Sequence, residues 1–207
     1  MDKKLLVATH NQGKVNEFAQ MLADLDVIWL SLDDVGVMQD VAETGNTFRD
    51  NAILKAQAYA LETGMLTLAD DSGLEVDALG GQPGVYTARY GGKGLSPSER
   101  YHLLLANMRQ VAPADRTARF RAAIVLAQAD GTIVGEAEGV CEGLIATEPA
   151  GEGGFGYDPV FYLPEWGMTM AQVGSAVKHQ ISHRGQALKK IEPVLRALLV
   201  GKIGTIS

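Results

Sequence analysis

The string Leu68-Ala69-Asp70-Asp71-Ser72-Gly73-Leu74 sets two adjacent carboxylates and a hydroxyl at the end of an apolar run, Met65 to Ala69. Read locally, it is a buried strand presenting charge on a sharp glycine turn. Carboxylates are costly to desolvate without a partner, so such a turn suits a metal ion held through oxygen. Taken alone, a solvated Asp-Asp-Ser-Gly loop is the plainer reading, because these are ordinary turn residues.

Three further strings are suited to an anionic or flat ligand. Thr9-His10-Asn11-Gln12-Gly13 followed by Lys14 puts exposed backbone N–H groups and a cation at the positive end of a helix dipole, a place for phosphate. A plain helix-capping turn fits equally well. The string is not a Walker A loop, because position 8 is Ala8 and Val15 follows the lysine. Asn51 and Lys55 lie four apart and share a helix face, so they could offer an amide and an ammonium to one ligand. An ordinary solvated lysine is the alternative. Gly151 to Pro159 mixes five glycines and prolines with Phe155, Tyr157 and Asp158, a composition that shapes backbone around a flat ligand. A glycine-rich surface loop is the plainer reading there. Lys178, His179, Ser182, His183 and Arg184 then form a second cationic cluster.

These strings need elements to hold them. Lys4 to Thr9 reads as a first strand, and Val15, Phe18, Ala19 and Leu22 give the helix from Lys14 to Leu25 one apolar face. Val27 to Leu30 reads as a second strand, followed by an acidic, irregular passage through Asp33, Asp34 and Asp40. Thr47-Phe48-Arg49-Asp50 has the form of a capping box and opens a helix to about Thr63, with Phe48, Ala52, Ala56 and Tyr59 as its packed stripe. Leu79 to Gly94 is rich in turns, and Ser96 caps a helix to Met108 with Pro97 in its first turn. Thr117 to Gln128 and Thr132 to Glu142 read as strands joined at Asp130-Gly131, a hairpin that favours a mixed sheet. The apolar positions from Ala187 to Leu198 predict a terminal helix that Pro193 kinks or breaks, and Gly201 to Ser207 read as frayed.

At 207 residues the chain is long enough for one large domain or two small lobes. A net charge of -7 argues against a general nucleic-acid binder, so any polyanionic ligand must meet a local cluster of cations. One cysteine, Cys141, excludes an intrachain disulfide and a Cys-rich zinc site and fits a reducing compartment. The apolar run Leu5 to Ala8 is far too short for a signal peptide, and no later segment approaches a membrane span. A cytoplasmic protein is the expectation.

In order and spacing, several strings together resemble the inosine triphosphate pyrophosphatase family, the Ham1-like proteins. They are Ala8 to Lys14, Glu43-Thr44-Gly45, Asn51 to Ala56, Ala69 to Leu74, Pro83 to Tyr90, Gly153 to Asp158 and Ser182-His183-Arg184. The resemblance implies an α/β fold, an elongated mixed central sheet flanked by helices, in a single domain over 1–207 with two lobes and a nucleotide cleft between them. It implies a homodimer and hydrolysis of the non-standard purine nucleotides ITP, dITP and XTP to the monophosphate and pyrophosphate, with Mg²⁺. Carried over by position, Thr9, His10, Asn11, Gln12, Gly13 and Lys14 would cradle the triphosphate, and Lys55 would contact phosphate near the reaction. Glu43 and Asp71 would hold the metal, with Asp71 as proton acceptor and Ser72 as a substrate contact. Phe155, Gly156, Tyr157 and Asp158 would form the base-binding loop, and Lys178, His183 and Arg184 the clamp on the base. His10 stands where several members have glycine, so only its backbone is implied. Val177 and His179 flank Lys178 where acidic and amide residues are common.

Physical chemistry agrees with that assignment. Water attacking an anionic phosphorus needs charge neutralised and the nucleophile oriented. A guanidinium such as Arg184 only donates, which suits the 6-keto oxygen of hypoxanthine or xanthine and leaves the amino group of adenine unmatched. Two competing readings are a pyrophosphatase with another base preference, as in the pyrimidine-directed Maf-like enzymes, and a non-enzymatic nucleotide sensor. Ser182-His183-Arg184 argues against the first, and the joint presence of Asp71, Glu43 and Lys55 against the second.

Overall fold

The computed structural model describes residues 3–200, with Val200 described in its backbone only. The segment Gly201 to Ser207, read as frayed, lies outside the described residues. Seven strands form one sheet in the order β2-β1-β3-β4-β5-β6-β7. They are β1 Lys4–Val7, β2 Ile28–Leu30, β3 Thr67–Val76, β4 Thr117–Ala127, β5 Ile133–Ile145, β6 Phe161–Leu163 and β7 Met168–Thr169. Strand β1 runs parallel to β2 and β3, whereas β5, β6 and β7 pair antiparallel, so the sheet is mixed as expected. The helices are α1 Gln12–Met21, α2 Phe48–Thr63, α3 Pro97–Asn107, α4 Ser175–Ile181 and α5 His183–Val200.

The chain divides into two compact units. Among the described residues, one comprises 3–71, 122–139 and 184–200; the other comprises 72–121 and 140–183. The core of the first unit is built from Leu5, Val7, Val15, Phe18, Leu22, Leu68, Ile124, Ala187 and Leu195, so α1 and α5 bury their apolar stripes there. The second gathers Leu74, Val76, Leu104, Phe120, Cys141, Val160 and Phe161.

Local chemistry explains most element ends. Asn11 caps α1, its Oδ1 accepting the Gly13 and Lys14 N–H groups, so the capping reading of that turn holds. Thr47 caps α2 by accepting from Asp50, and Ser96 with Glu99 forms a complete capping box on α3. Between β4 and β5, Gly131 takes φ +81° and Asp130 accepts the Thr132 N–H, closing the expected turn.

One expectation is corrected and two others are narrowed. Asp70-Asp71-Ser72-Gly73 is not a turn: β3 runs straight through it, because both carboxylates find buried cationic partners and the backbone has no need to deliver them to solvent. Pro193 does not break the terminal helix, which continues to Val200. Pro193 and Lys189, the residue whose carbonyl Pro193 cannot serve, are both exposed. Within the expected cationic cluster, Lys178 and Arg184 have different anionic partners. Lys178 sits on α4 and pairs with Asp158, whereas Arg184 opens α5 and pairs with Asp70 and Glu17. Strands β6 and β7, of three and two residues, had no readable periodicity in the sequence.

Candidate active site

Successive side chains of a strand point to opposite faces, so adjacent Asp70 and Asp71 serve different sides of β3. Asp70 shares its face with Leu68, which packs in the core that α1 and α5 fill. Its Oδ2 lies 2.7 Å from Lys14 Nζ and 3.1 Å from Arg184 Nε. Arg184 Nη1 also reaches Glu17 Oε2 at 3.3 Å. Burial by itself would raise the Asp70 carboxyl, but Arg184 and Lys14 outweigh it and hold the group well below the usual carboxylate range. Burial pushes the Lys14 ammonium down, with Arg184 and Lys55 adding to that effect and Asp70 opposing it.

Asp71 faces α2. Lys55 Nζ donates to Asp71 Oδ1 at 2.9 Å, to Glu43 Oε1 at 3.1 Å and to the Asp70 carbonyl oxygen at 3.0 Å. Lys55 is 8% exposed, so the solvated-lysine reading does not hold. The carboxylates Asp71 and Glu43 keep its ammonium above the ordinary lysine value although burial opposes them. Burial raises the Asp71 carboxyl above the ordinary range, with Glu43 and Asp70 adding to it, against the pull of Lys55. A raised carboxylate is a better proton acceptor near neutrality than a free aspartate.

Glu43 reaches this point because its loop is pinned to α2 at two places. Asn51 Oδ1 accepts the Gly45 N–H at 2.8 Å, and the Tyr59 hydroxyl accepts the Val41 N–H at 3.0 Å. A Cβ at Gly45 would lie 2.6 Å from Asp50 Cβ and 2.7 Å from Asn51 Oδ1, so only glycine fits. Glu43, Lys55 and Asp71 therefore converge, with Lys14 on the neighbouring carboxylate. The rest of the anion-loop string is engaged locally: Thr9 Oγ1 accepts from Asn11 N, Gln12 Nε2 donates to Asn16, and His10 Nδ1 is 2.6 Å from Asp33 Oδ1.

In the second unit Asp158, 4% exposed, organises the glycine-rich loop. Its Oδ2 accepts the Phe155 N–H and the Lys178 ammonium, each at 2.9 Å, and Lys178 Nζ lies 4.8 Å from the Phe155 ring centroid. Phe155 remains 37% exposed, an aromatic surface fastened by a buried ion pair. Tyr157 donates to the Thr87 carbonyl at 3.1 Å, and Thr87 Oγ1 accepts the Leu74 N–H at 2.8 Å. His183 stacks on Phe120, ring centroids 4.9 Å apart. Ser72 follows Asp71 along β3 and is half-buried, and Gly156 takes φ +65° beside Phe155.

A Ham1 family model matches residues 5–194. This chain belongs to the Ham1 family. The resemblance carried by the sequence strings is thereby borne out, over nearly the whole length. The Ham1 chain is 49% identical to a dITP/XTP pyrophosphatase of Desulforamulus reducens, over 95% of this chain and 98% of that one. Among solved structures it is similar to a HAM1 protein from Coxiella burnetii, with TM-score 0.84 and 40% identity over 94% of this chain and 98% of that one. The Ham1 protein of Staphylococcus aureus gives TM-score 0.82 at 39% identity, over 95% and 100% of the two chains.

Glu17 carried no role in the sequence reading, and Asp70 entered it only as one of two adjacent carboxylates suited to a metal ion. Glu17 lies three residues after Lys14 on α1 and is buried beside Phe18, a spacing that could have flagged it. Asp70 was visible as one of a pair, and strand alternation through β3 is the signal that separates its task from that of Asp71.

Among the described residues no group of three or more histidine, cysteine or acidic side chains is placed to hold a metal ion by itself. The pair of Glu43 and Asp71, both turned on one cation, is nevertheless the oxygen donor set that Mg²⁺ takes when substrate phosphates and water complete its shell. The residues fit that ion.

Proposed function

We propose that the chain hydrolyses non-standard purine nucleoside triphosphates, ITP, dITP and XTP, to the monophosphate and pyrophosphate, clearing damaged purines from the nucleotide pool. The observation that carries this reading is the convergence of Glu43 and Asp71 on Lys55, 3.1 and 2.9 Å from its ammonium, with Lys14 on the adjoining Asp70. Family membership and the dITP/XTP pyrophosphatase of Desulforamulus reducens support the substrate class.

Glu43 and Asp71 would hold Mg²⁺, which when bound neutralises phosphate charge and raises the acidity of water. Asp71 would take the proton of the attacking water as general base. Lys14 offsets the charge of the triphosphate, helped by the loop Thr9 to Gly13. Phe155 offers its exposed ring to the base, positioned by Lys178 and Asp158. Arg184 and His183 favour a 6-keto purine, and Ser72 contacts substrate beside Asp71. An unmatched adenine amino group costs about 1–3 kcal/mol per contact, roughly ten- to hundredfold in discrimination. We also assign a homodimer and a cytoplasmic setting. The family resemblance supports the first; the single buried Cys141 thiol, suited to a reducing compartment, supports the second.

Pyrophosphate release from ITP, dITP, XTP, ATP, dGTP and dTTP, with and without Mg²⁺, tests the reading. Metal-dependent turnover confined to the first three supports it. Preference for dTTP would favour a Maf-like enzyme, and binding without turnover a sensor.

A further inference from the structure

An ammonium has three N–H donors, and all three of those on Lys55 are taken, by Glu43, Asp71 and the Asp70 carbonyl. Lys14 is different. Among the described residues Asp70 is its one acceptor, and its side chain is 19% exposed against 10% for Lys55. A triphosphate therefore meets a lysine with donors to spare in Lys14 and a saturated one in Lys55.

We infer that in the nucleotide-free protein Lys55 acts as the resident counter-ion of Glu43 and Asp71, so that the divalent cation arrives with the nucleotide and not ahead of it. The inference rests on the assignment of Glu43 and Asp71 as metal ligands. A cation arriving alone must compete with a fixed positive charge for the same oxygens. It must also leave buried N–H donors of Lys55 without acceptors. A nucleotide removes both obstacles. Its phosphate oxygens accept the donors that Lys55 releases, and their negative charge offsets the added cation. The phosphate contact expected of Lys55 is thus the second half of an exchange whose first half is the metal taking over Glu43 and Asp71. The substrate is then the metal–nucleotide complex, and the ammonium keeps two carboxylates side by side until it arrives.

Mn²⁺ titration followed by electron paramagnetic resonance of the free ion tests this, with α,β-methylene ITP as an uncleavable nucleotide. Without nucleotide, Lys55→Gln is expected to bind Mn²⁺ about tenfold or more tightly than the wild type. Adding Glu43→Gln to that variant should abolish the gain. The wild type should acquire tight Mn²⁺ only when the analogue is present, beyond what the analogue binds by itself. Equal Mn²⁺ affinity of wild type and Lys55→Gln without nucleotide overturns the inference and leaves the metal assignment standing. If Lys55→Gln does not fold, the wild type decides alone: equal affinity with and without the analogue overturns it. Should Glu43→Gln leave Mn²⁺ binding in the presence of the analogue untouched, the metal assignment fails and the inference with it.

Discussion

Lys14 Nζ lies 2.7 Å from Asp70 Oδ2, and the same oxygen receives Arg184 Nε at 3.1 Å. One buried carboxylate thus fastens the first turn of α1 and the first turn of α5 to β3. Asp70→Asn keeps the shape and removes the charge, leaving two cations without their shared anion. Breaking a buried pair in this way costs about 3–5 kcal/mol. Urea denaturation should show a midpoint lowered to match, and an unchanged midpoint would mean that the network contributes nothing to stability.

The same network sets an acid limb. The folded value of Asp70 is depressed, so its contribution is complete above the unfolded aspartate value of about 3.9 and is lost as pH falls below it toward the folded value. Stability measured against pH should decline below roughly pH 4. Asp70→Asn should flatten that decline.

Asp71→Asn is expected to fold and to lose turnover by about 10²–10⁴-fold, the span of general acid–base contributions. Circular dichroism with a pyrophosphate-release assay separates the two effects. Retained activity in a folded variant would remove Asp71 as proton acceptor.

Gly154→Ala tests the aromatic loop. Gly154 takes φ +72°, and a Cβ there would collide with the Asp158 carboxylate. The substitution should push Asp158 away from the Phe155 N–H and Lys178 and raise KM for ITP by about tenfold, equivalent to ~1.4 kcal/mol. Steady-state kinetics on ITP reads this directly, and an unchanged KM would take the loop out of substrate binding.

Much of the fold could be read before the structure was known, where a regular period or a cap marked it. The stripe Phe48, Ala52, Ala56 and Tyr59 is buried as expected, and Asn11, Thr47 and Ser96 cap the helices they precede. The site was readable to the extent that Glu43, Lys55 and Asp71 meet. What failed was inference from local composition. Asp-Asp-Ser-Gly favours a turn, yet ion pairs with Lys14, Arg184 and Lys55 keep it in β3. Lys178 and Arg184, six positions apart, pair with different anions, Asp158 and Asp70, because a new helix starts at His183, a division that composition does not show.

The side-by-side aspartates of β3 leave no slack in the reading frame of that strand. Deleting one residue ahead of Leu68 would turn every following side chain over. The acid meant for Lys55 would then be presented to α1 and α5, and its neighbour to α2. Loops elsewhere can absorb a change of length, whereas Thr67 to Asp71 must keep its parity for either cation to meet its own anion.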